Sequence, residues 1–309
     1  MRIWRNFTGG PQLALTPLKL NDFAMNQVRA INKFTSITTW VLSAIIVIFV
    51  LFAAWRIFIA DRFIIPSDSM SPTLVAGDRV LVDKTIFGAR IYKDYDFKDG
   101  MELKCWRTRG RRRIRRGDII VFNFPKNGGR GISFKINYVF VKRCVGLPGD
   151  SVSVADGFWK NNNFSGVLGI AEQQERLASI SEAQLPDEVR WTLQPCAPER
   201  KWSIKNFGPL YVPRKGDVIP INDTTSALYG DILIYENYSS SSGTHRFKHD
   251  YFFMAGDNVL DSGDSRYWGF VPDDYIVGVV KAILFNRDPY TGKRSFGRFR
   301  IFDSMSGNH

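Results

Sequence analysis

From Ile37 through Trp55 the chain carries no charged residue, and apolar side chains fill most of these nineteen positions. A helix needs roughly 20 such residues to cross the hydrocarbon core of a bilayer. Arg56 follows where a long cation can snorkel to the interface, and apolar character resumes from Ile57 to Ala60. Trp40 and Trp55 fall near the two ends, as interfacial aromatics do. The pattern predicts one membrane-spanning helix over 37–60, since no second run of this length follows. Ahead of it, 1–36 is polar to mixed, with Arg2, Arg5, Lys19, Arg29 and Lys33 against the single acid Asp22. That basic flank predicts a cytoplasmic N-terminus and an external remainder. The polar segment before the span is long and no small-x-small site closes the apolar run, which argues against a cleaved leader.

Beyond Asp61 the pattern changes. Gly-Asp recurs seven times, at Gly77, Gly117, Gly149, Gly216, Gly230, Gly256 and Gly263. Five of these dipeptides precede short aliphatic or β-branched runs, at Arg79–Val82, Ile119–Phe122, Ser151–Val154, Val218–Ile219 and Ile232–Tyr235. Short runs divided by Gly/Asp turns predict strands, so 61–309 reads as mostly β. Ile170–Leu185 is the best helical candidate. The stretch 157–249 reads as an irregular subregion, with Asn161-Asn162-Asn163 and Ser239–Gly243 marking loops.

Composition narrows the chemistry. The 309 residues carry a net charge of +12, and the run Arg107–Arg116 concentrates it. A basic run raises nucleic acid as a partner, but this one lies between turn signals without interleaved aromatics. A solvated loop, or one touching anionic lipid head groups, reads at least as well. Cys105, Cys144 and Cys196 are too few and too far apart for a zinc site, and no HExxH is present. One disulfide is possible, its pairing open. Only His245, His249 and His309 are available for a serine–histidine mechanism. The first two sit in a Ser/Gly/Thr-rich stretch that predicts solvated loop positions.

Three stretches remain that can do chemistry. Ser67-Asp68-Ser69-Met70-Ser71-Pro72 follows the span directly, and Pro66 and Pro72 hold its backbone to extended or turn geometry. Alone it reads as a loop; it could also present Ser69. In Tyr138–Asp150 the strand period sets Lys142 between Phe140 and Cys144 on one face. Desolvation there favours the neutral amine, which can act as a base; an edge-strand lysine facing water is the competing reading. Gly256–Pro272 joins carboxylates, hydroxyls and an arginine in a Gly-rich loop. There Asp264 and Arg266 could pair and Ser262 could reach an amine, or the loop could be a structural turn, the reading expected for Asp257.

These stretches resemble the serine box (Ser67–Leu74), lysine box (Val141–Asp150) and C-terminal box (Gly256–Asn258 with Ser262–Gly269) of bacterial type I signal peptidases, also called leader peptidases. Val259-Leu260 departs from the pattern, standing where the family usually has a basic residue followed by a polar or acidic one. The family also often has two spans where one is visible here. The resemblance implies a mostly β catalytic domain anchored by a single N-terminal transmembrane helix in the bacterial cytoplasmic membrane, needing no cofactor or metal. Ser69 would be the nucleophile and Lys142 the general base. The Ser67 hydroxyl and the Ser69 N–H would form the oxyanion hole. Ser262 would orient the lysine, with Asp264 and Arg266 holding that loop. Phe63, Ile65, Pro66, Met70, Leu74, Phe140 and Val141 would line pockets for small P1 and P3 residues. Signal peptides and the lipid bilayer would be the partners, with no nucleic acid. A self-cleaving repressor-type protease, a conjugative pilin-maturation peptidase and a non-enzymatic membrane-tethered binding module are the alternatives.

Overall fold

The computed structural model describes residues 17–302, apart from 95, 97, 99, 101–102, 127, 129, 194–200 and 240–242. Cys196 lies outside the described residues. The chain divides into two compact units between Ala54 and Trp55.

The first element, α1 (Pro17–Phe58), is a single 42-residue helix. It begins twenty residues before the uncharged run, at a proline whose missing N–H costs nothing in a first helical turn. Its side chains stay exposed through the apolar part, Trp40 at 76% and Phe49 at 69%. An all-round apolar surface of this kind is suited to lipid rather than water. Among the described residues it is the one helix long and apolar enough to cross a membrane.

The rest is built on antiparallel strands. β1 (Ala60–Ile64) and β2 (Asp78–Asp83) form a hairpin, and β3 (Arg90–Tyr92) pairs with β4 (Cys105–Arg107). β5 (Ile119–Asn123) and β6 (Val139–Gly146) follow, then β7 (Ser151–Ala155) and β8 (Phe158–Asn161). After α2 (Ala171–Ser179) and α3 (Asp187–Arg190) come β9 (Phe207–Tyr211), β10 (Val218–Pro220), α4 (Asp223–Tyr235) and β11 (Thr244–Arg246). The chain closes with β12 (Tyr251–Ala255), α5 (Ser265–Trp268), β13 (Val271–Pro272), β14 (Ile276–Arg287), β15 (Arg294–Ser295) and β16 (Arg300–Ile301). The main sheet runs β1-β2-β14-β5-β6-β12-β13, with β15 and β16 paired to β14. Three register shifts along β14 let its twelve residues serve β2 and β5 in turn, curling the sheet.

At its centre the sheet is buried on both faces. Ile119 and Val121 point into a core with Val80, Val82, Ile65, Met70 and Leu74, whereas Ile120 and Phe122 face a second core with Cys144, Tyr251 and Phe253. Strand alternation therefore makes β5 apolar at every position but its last. The Gly-Asp dipeptides repeat one turn. At Val75–Asp78, Arg115–Asp118 and Leu147–Asp150 the aspartate N–H donates to the carbonyl three residues back, and its carboxylate accepts that residue's N–H. The preceding glycine takes a φ of +87° to +91° in each, as the third position of a type II turn requires.

Four expectations are corrected. Ile232–Tyr235 belongs to α4, where Tyr229, Ile232 and Leu233 bury one helical face. Asn222 begins that helix by accepting from the Thr225 N–H while the Thr225 hydroxyl accepts in return. The subregion 157–249 is not irregular throughout: it holds a helical segment near the expected place, α4, and part of a three-stranded β8-β7-β9 sheet. His245 is 5% exposed and set 2.7 Å from the Glu236 carboxylate, while His249 is half-buried against Asp273. The basic run is largely used internally: Arg107 donates to three carbonyls, and Arg111, Arg112 and Arg116 meet Asp83, Asp118 and Asp150.

Candidate active site

The serine stretch leaves β1 and turns back into β2. Ile65 exchanges backbone hydrogen bonds with Asp78 and Gly77, so the loop closes on itself. Within it the Ser71 N–H donates to the Asp68 carbonyl, the Leu74 N–H to Met70, and the Ala76 N–H to the Asp68 carboxylate. Met70 and Leu74 are 1% and 0% exposed and bind the loop to the core beneath. Ser69 sits directly before the first of these anchors, half-buried. Lys142 comes from the middle of β6, opposite Ile120, and its Nζ lies 2.5 Å from Ser69 Oγ. Two residues 73 apart in sequence thus form one hydrogen-bonded pair.

The surroundings set the charge of that pair. Lys142 is 3% exposed, with its Nζ 6.0 Å from the centre of the Phe140 ring. Burial lowers its pKa to about 8, against the opposing pull of Asp264 and Asp257. Desolvation is the larger effect, so the amine deprotonates more readily than a free lysine.

The Gly256–Gly269 loop packs behind the pair. Asn258 clamps the serine turn from two sides, its N–H donating to the Ser69 carbonyl at 3.1 Å and its Nδ2 to the Asp68 carbonyl at 3.3 Å. Asp257 accepts from Arg143 Nε and Nη2, both at 2.7 Å, and from the Thr73 hydroxyl. Asp264 and Arg266 form a buried two-pronged pair at 2.9 and 2.8 Å, and Asp264 also accepts the Gly256 N–H. Gly256 leaves no room for a side chain: a Cβ there would fall 2.0 Å from Ser262 Oγ and 2.6 Å from the Ser69 carbonyl oxygen. Ser262 thus packs against Gly256 close to the Ser69 backbone, and its buried hydroxyl has no hydrogen-bond partner among the described residues. Val259-Leu260 has a packing role: Val259 is buried with Leu177, Leu185 and Ile204 of the middle subregion.

A cleft of about 450 Å³ opens over the pair. Its walls carry Phe63, Ile65, Pro66, Met70, Phe140 and Val141, with Ser67 exposed at the rim. Leu74, also expected in the lining, lies behind the wall because its side chain is spent on the core. Sequence reasoning missed Asn137, Tyr138, Val139 and Asp261, which also line the cleft. It missed the holding roles of Thr73, Arg143 and Asn258 as well, although all three fall inside the boxes. Outside the cleft, His249, Asp273 and Asp274 bring ligand atoms within 4.8 Å of one another. There His249 pairs with both carboxylates, and Asp274 also accepts from the Cys105 thiol.

The model of the family described as "Signal peptidase, peptidase S26" matches residues 37–285. The signal peptidase I of Buchnera aphidicola from Schizaphis graminum is 28% identical over 85% of this chain and 79% of its own. That of Buchnera from Acyrthosiphon pisum is 31% identical over 75% and 70%, and that of Aquifex aeolicus 27% identical over 78% and 81%. With the match running from the start of the uncharged helix segment into β14, this chain belongs to the signal peptidase family, peptidase S26.

Proposed function

We propose that this protein removes signal peptides from exported preproteins, cutting after a small-x-small motif with Ser69 as nucleophile and Lys142 as general base. The observation that carries the reading is the 2.5 Å approach of Lys142 Nζ to Ser69 Oγ, made by an amine that burial brings to a pKa of about 8. The neutral amine takes the Ser69 proton as Oγ attacks the scissile carbonyl. The oxyanion that forms is held by the Ser69 N–H and the Ser67 hydroxyl. The Lys142 ammonium then protonates the leaving amine, and water, activated by the same amine, hydrolyses the acyl-enzyme. In this reading the free hydroxyl of Ser262 receives the lysine as the Ser69 bond breaks, a role supported by its lack of another partner among the described residues. Asp264 and Arg266 fix the loop that carries it.

The apolar cleft, walled by Ile65, Met70 and Phe140, supports a preference for small side chains at P1 and P3. The helix α1 anchors the domain at the membrane from which a preprotein's cleavage site emerges. Topology follows from the basic N-terminal flank: 1–36 in the cytoplasm, 61–309 outside. The test is incubation of the detergent-solubilised full chain with a preprotein carrying Ala at P1 and P3, reading the new N-terminus by mass spectrometry. Cleavage is expected after the P1 alanine, and a Phe at P1 should slow it by about fivefold to a few hundredfold, the cost of overfilling a tight pocket. Equal cleavage of both substrates, or none with Ala, overturns the reading.

A further inference from the structure

A second cavity, of about 330 Å³, lies on the domain away from the dyad cleft, sharing none of its lining residues. Its lining carries six cationic side chains, Arg111, Arg112, Arg115, Arg116, Arg143 and Lys281, against the two carboxylates of Asp83 and Asp118. Both carboxylates are already engaged, Asp83 by Arg111 at 2.5 Å and Asp118 by Arg112 at 2.7 Å. Arg116 and Arg143 are neutralised from outside the cavity by Asp150 and Asp257. Lys281 donates to the Phe302 carbonyl. Arg115 is exposed, and its side chain meets no partner among the described residues. The cavity therefore holds more positive charge than its own acids cancel. Its floor is apolar, formed by Ile86, Ile119, Val280 and Phe302.

The place of this cavity in the fold limits its ligand. Asp83, at its edge, is the register partner of Ala60, two residues after the last residue of α1. Paired strands lie about 5 Å apart. The edge of the cavity therefore lies beside the chain where it leaves α1. A cationic rim over an apolar floor fits a phosphate ester joined to a hydrocarbon-bearing glycerol. We propose that this cavity binds the phosphate-bearing head group of an anionic membrane lipid, with Arg111, Arg115 and Lys281 facing the phosphate. The inference rests on the membrane-anchor reading given above.

The test uses the full chain in detergent micelles holding equal amounts of phosphatidylglycerol and phosphatidylcholine, with bound lipid read by native mass spectrometry. Wild type should retain phosphatidylglycerol in preference. Arg115→Gln should weaken it about fivefold and Arg111→Gln with Arg115→Gln about thirtyfold, at roughly fivefold for each arginine near a head group. Neither residue touches the dyad, so both variants should keep wild-type peptide cleavage, which shows that they fold. Equal retention of the two lipids, or unchanged retention in the double variant, overturns the proposal. Displacement by millimolar inorganic phosphate alone would assign the site to free phosphate and also overturn the lipid reading. Carbonate extraction of cell membranes tests the anchor separately. Release of the wild-type chain there defeats the anchor, while the micelle result still reports on the cavity.

Discussion

A lysine that is 3% exposed beside a phenylalanine ring loses most of the hydration that favours its cation. Two substitutions separate its roles. If Lys142 is the base, Lys142→Arg keeps the charge and loses the function, because a guanidinium does not deprotonate in proteins. Its kcat should fall by about 10² to 10⁴, the usual worth of general base catalysis. In the wild type the active form is the neutral amine, so kcat/KM should rise with pH and reach half its plateau near the lysine's pKa of about 8. Substantial activity in Lys142→Arg with the same pH profile would mean that another group is the base. Ser262 makes a subtler case. Its hydroxyl has no partner in the resting site, so Ser262→Ala breaks no bond and should leave the unfolding midpoint unchanged. If the hydroxyl receives the lysine during the reaction, kcat should fall about tenfold or more at constant KM. An unchanged kcat would remove Ser262 from the mechanism.

At the scale of elements, the site depends on how closely the Gly256–Gly269 loop lies against the serine turn. A Cβ at Gly256 would meet the Ser69 carbonyl and the Ser262 hydroxyl at once. Gly256→Ala should therefore push the two loops apart. A displacement of about 1 Å is expected to cost roughly 10²-fold in kcat, while overpacking lowers stability by only about 1–3 kcal/mol. Activity that falls no further than stability would place the strain elsewhere. The same comparison explains what could be read from the chain. The three boxes are contiguous strings of specialised residues beside prolines and glycines, so the approach of Lys142 to Ser69 and the pairing of Asp264 with Arg266 were legible. The clamp of Asn258 on Ser69 and the link of Arg143, Asp257 and Thr73 were not. A sequence does not record which of many acids meets which of many cations across a sheet. Leu74 fits an apolar lining position by type, and only packing sends it to the core. Ile232–Tyr235 offers four apolar residues, too few to separate strand from helix, and the capping pair at Asn222 and Thr225 decided it. Gly-Asp before a run was a sound sign of a turn at Asp78, Asp118 and Asp150, where the same hydrogen-bond pattern recurs.

For the whole molecule, charge and apolar pattern argue jointly about which side of a membrane the domain occupies. The count of 42 lysines and arginines overstates the free positive surface, because Arg112, Arg116 and Arg143 are each spent on a carboxylate. Orientation is instead decided by cations close to a span, and long domains translocate largely regardless of their own charge. Lys19, Arg29 and Lys33 stand within twenty residues of Ile37 on its N-terminal side, with Asp22 the one acid there. At the end of the span Arg56 is paired with Asp61, and Lys84 donates to the Arg56 carbonyl, so the cations at the exit are tied into the domain. The expectation is a cytoplasmic N-terminus and an external 61–309. Protease added to spheroplasts should degrade a tag placed at His309 and spare one placed at Met1. The fragment that survives should end near Asp61, where the helix gives way to β1. Protection of the His309 tag would put the dyad on the cytoplasmic side, away from emerging cleavage sites, and the proposed activity would fail with it.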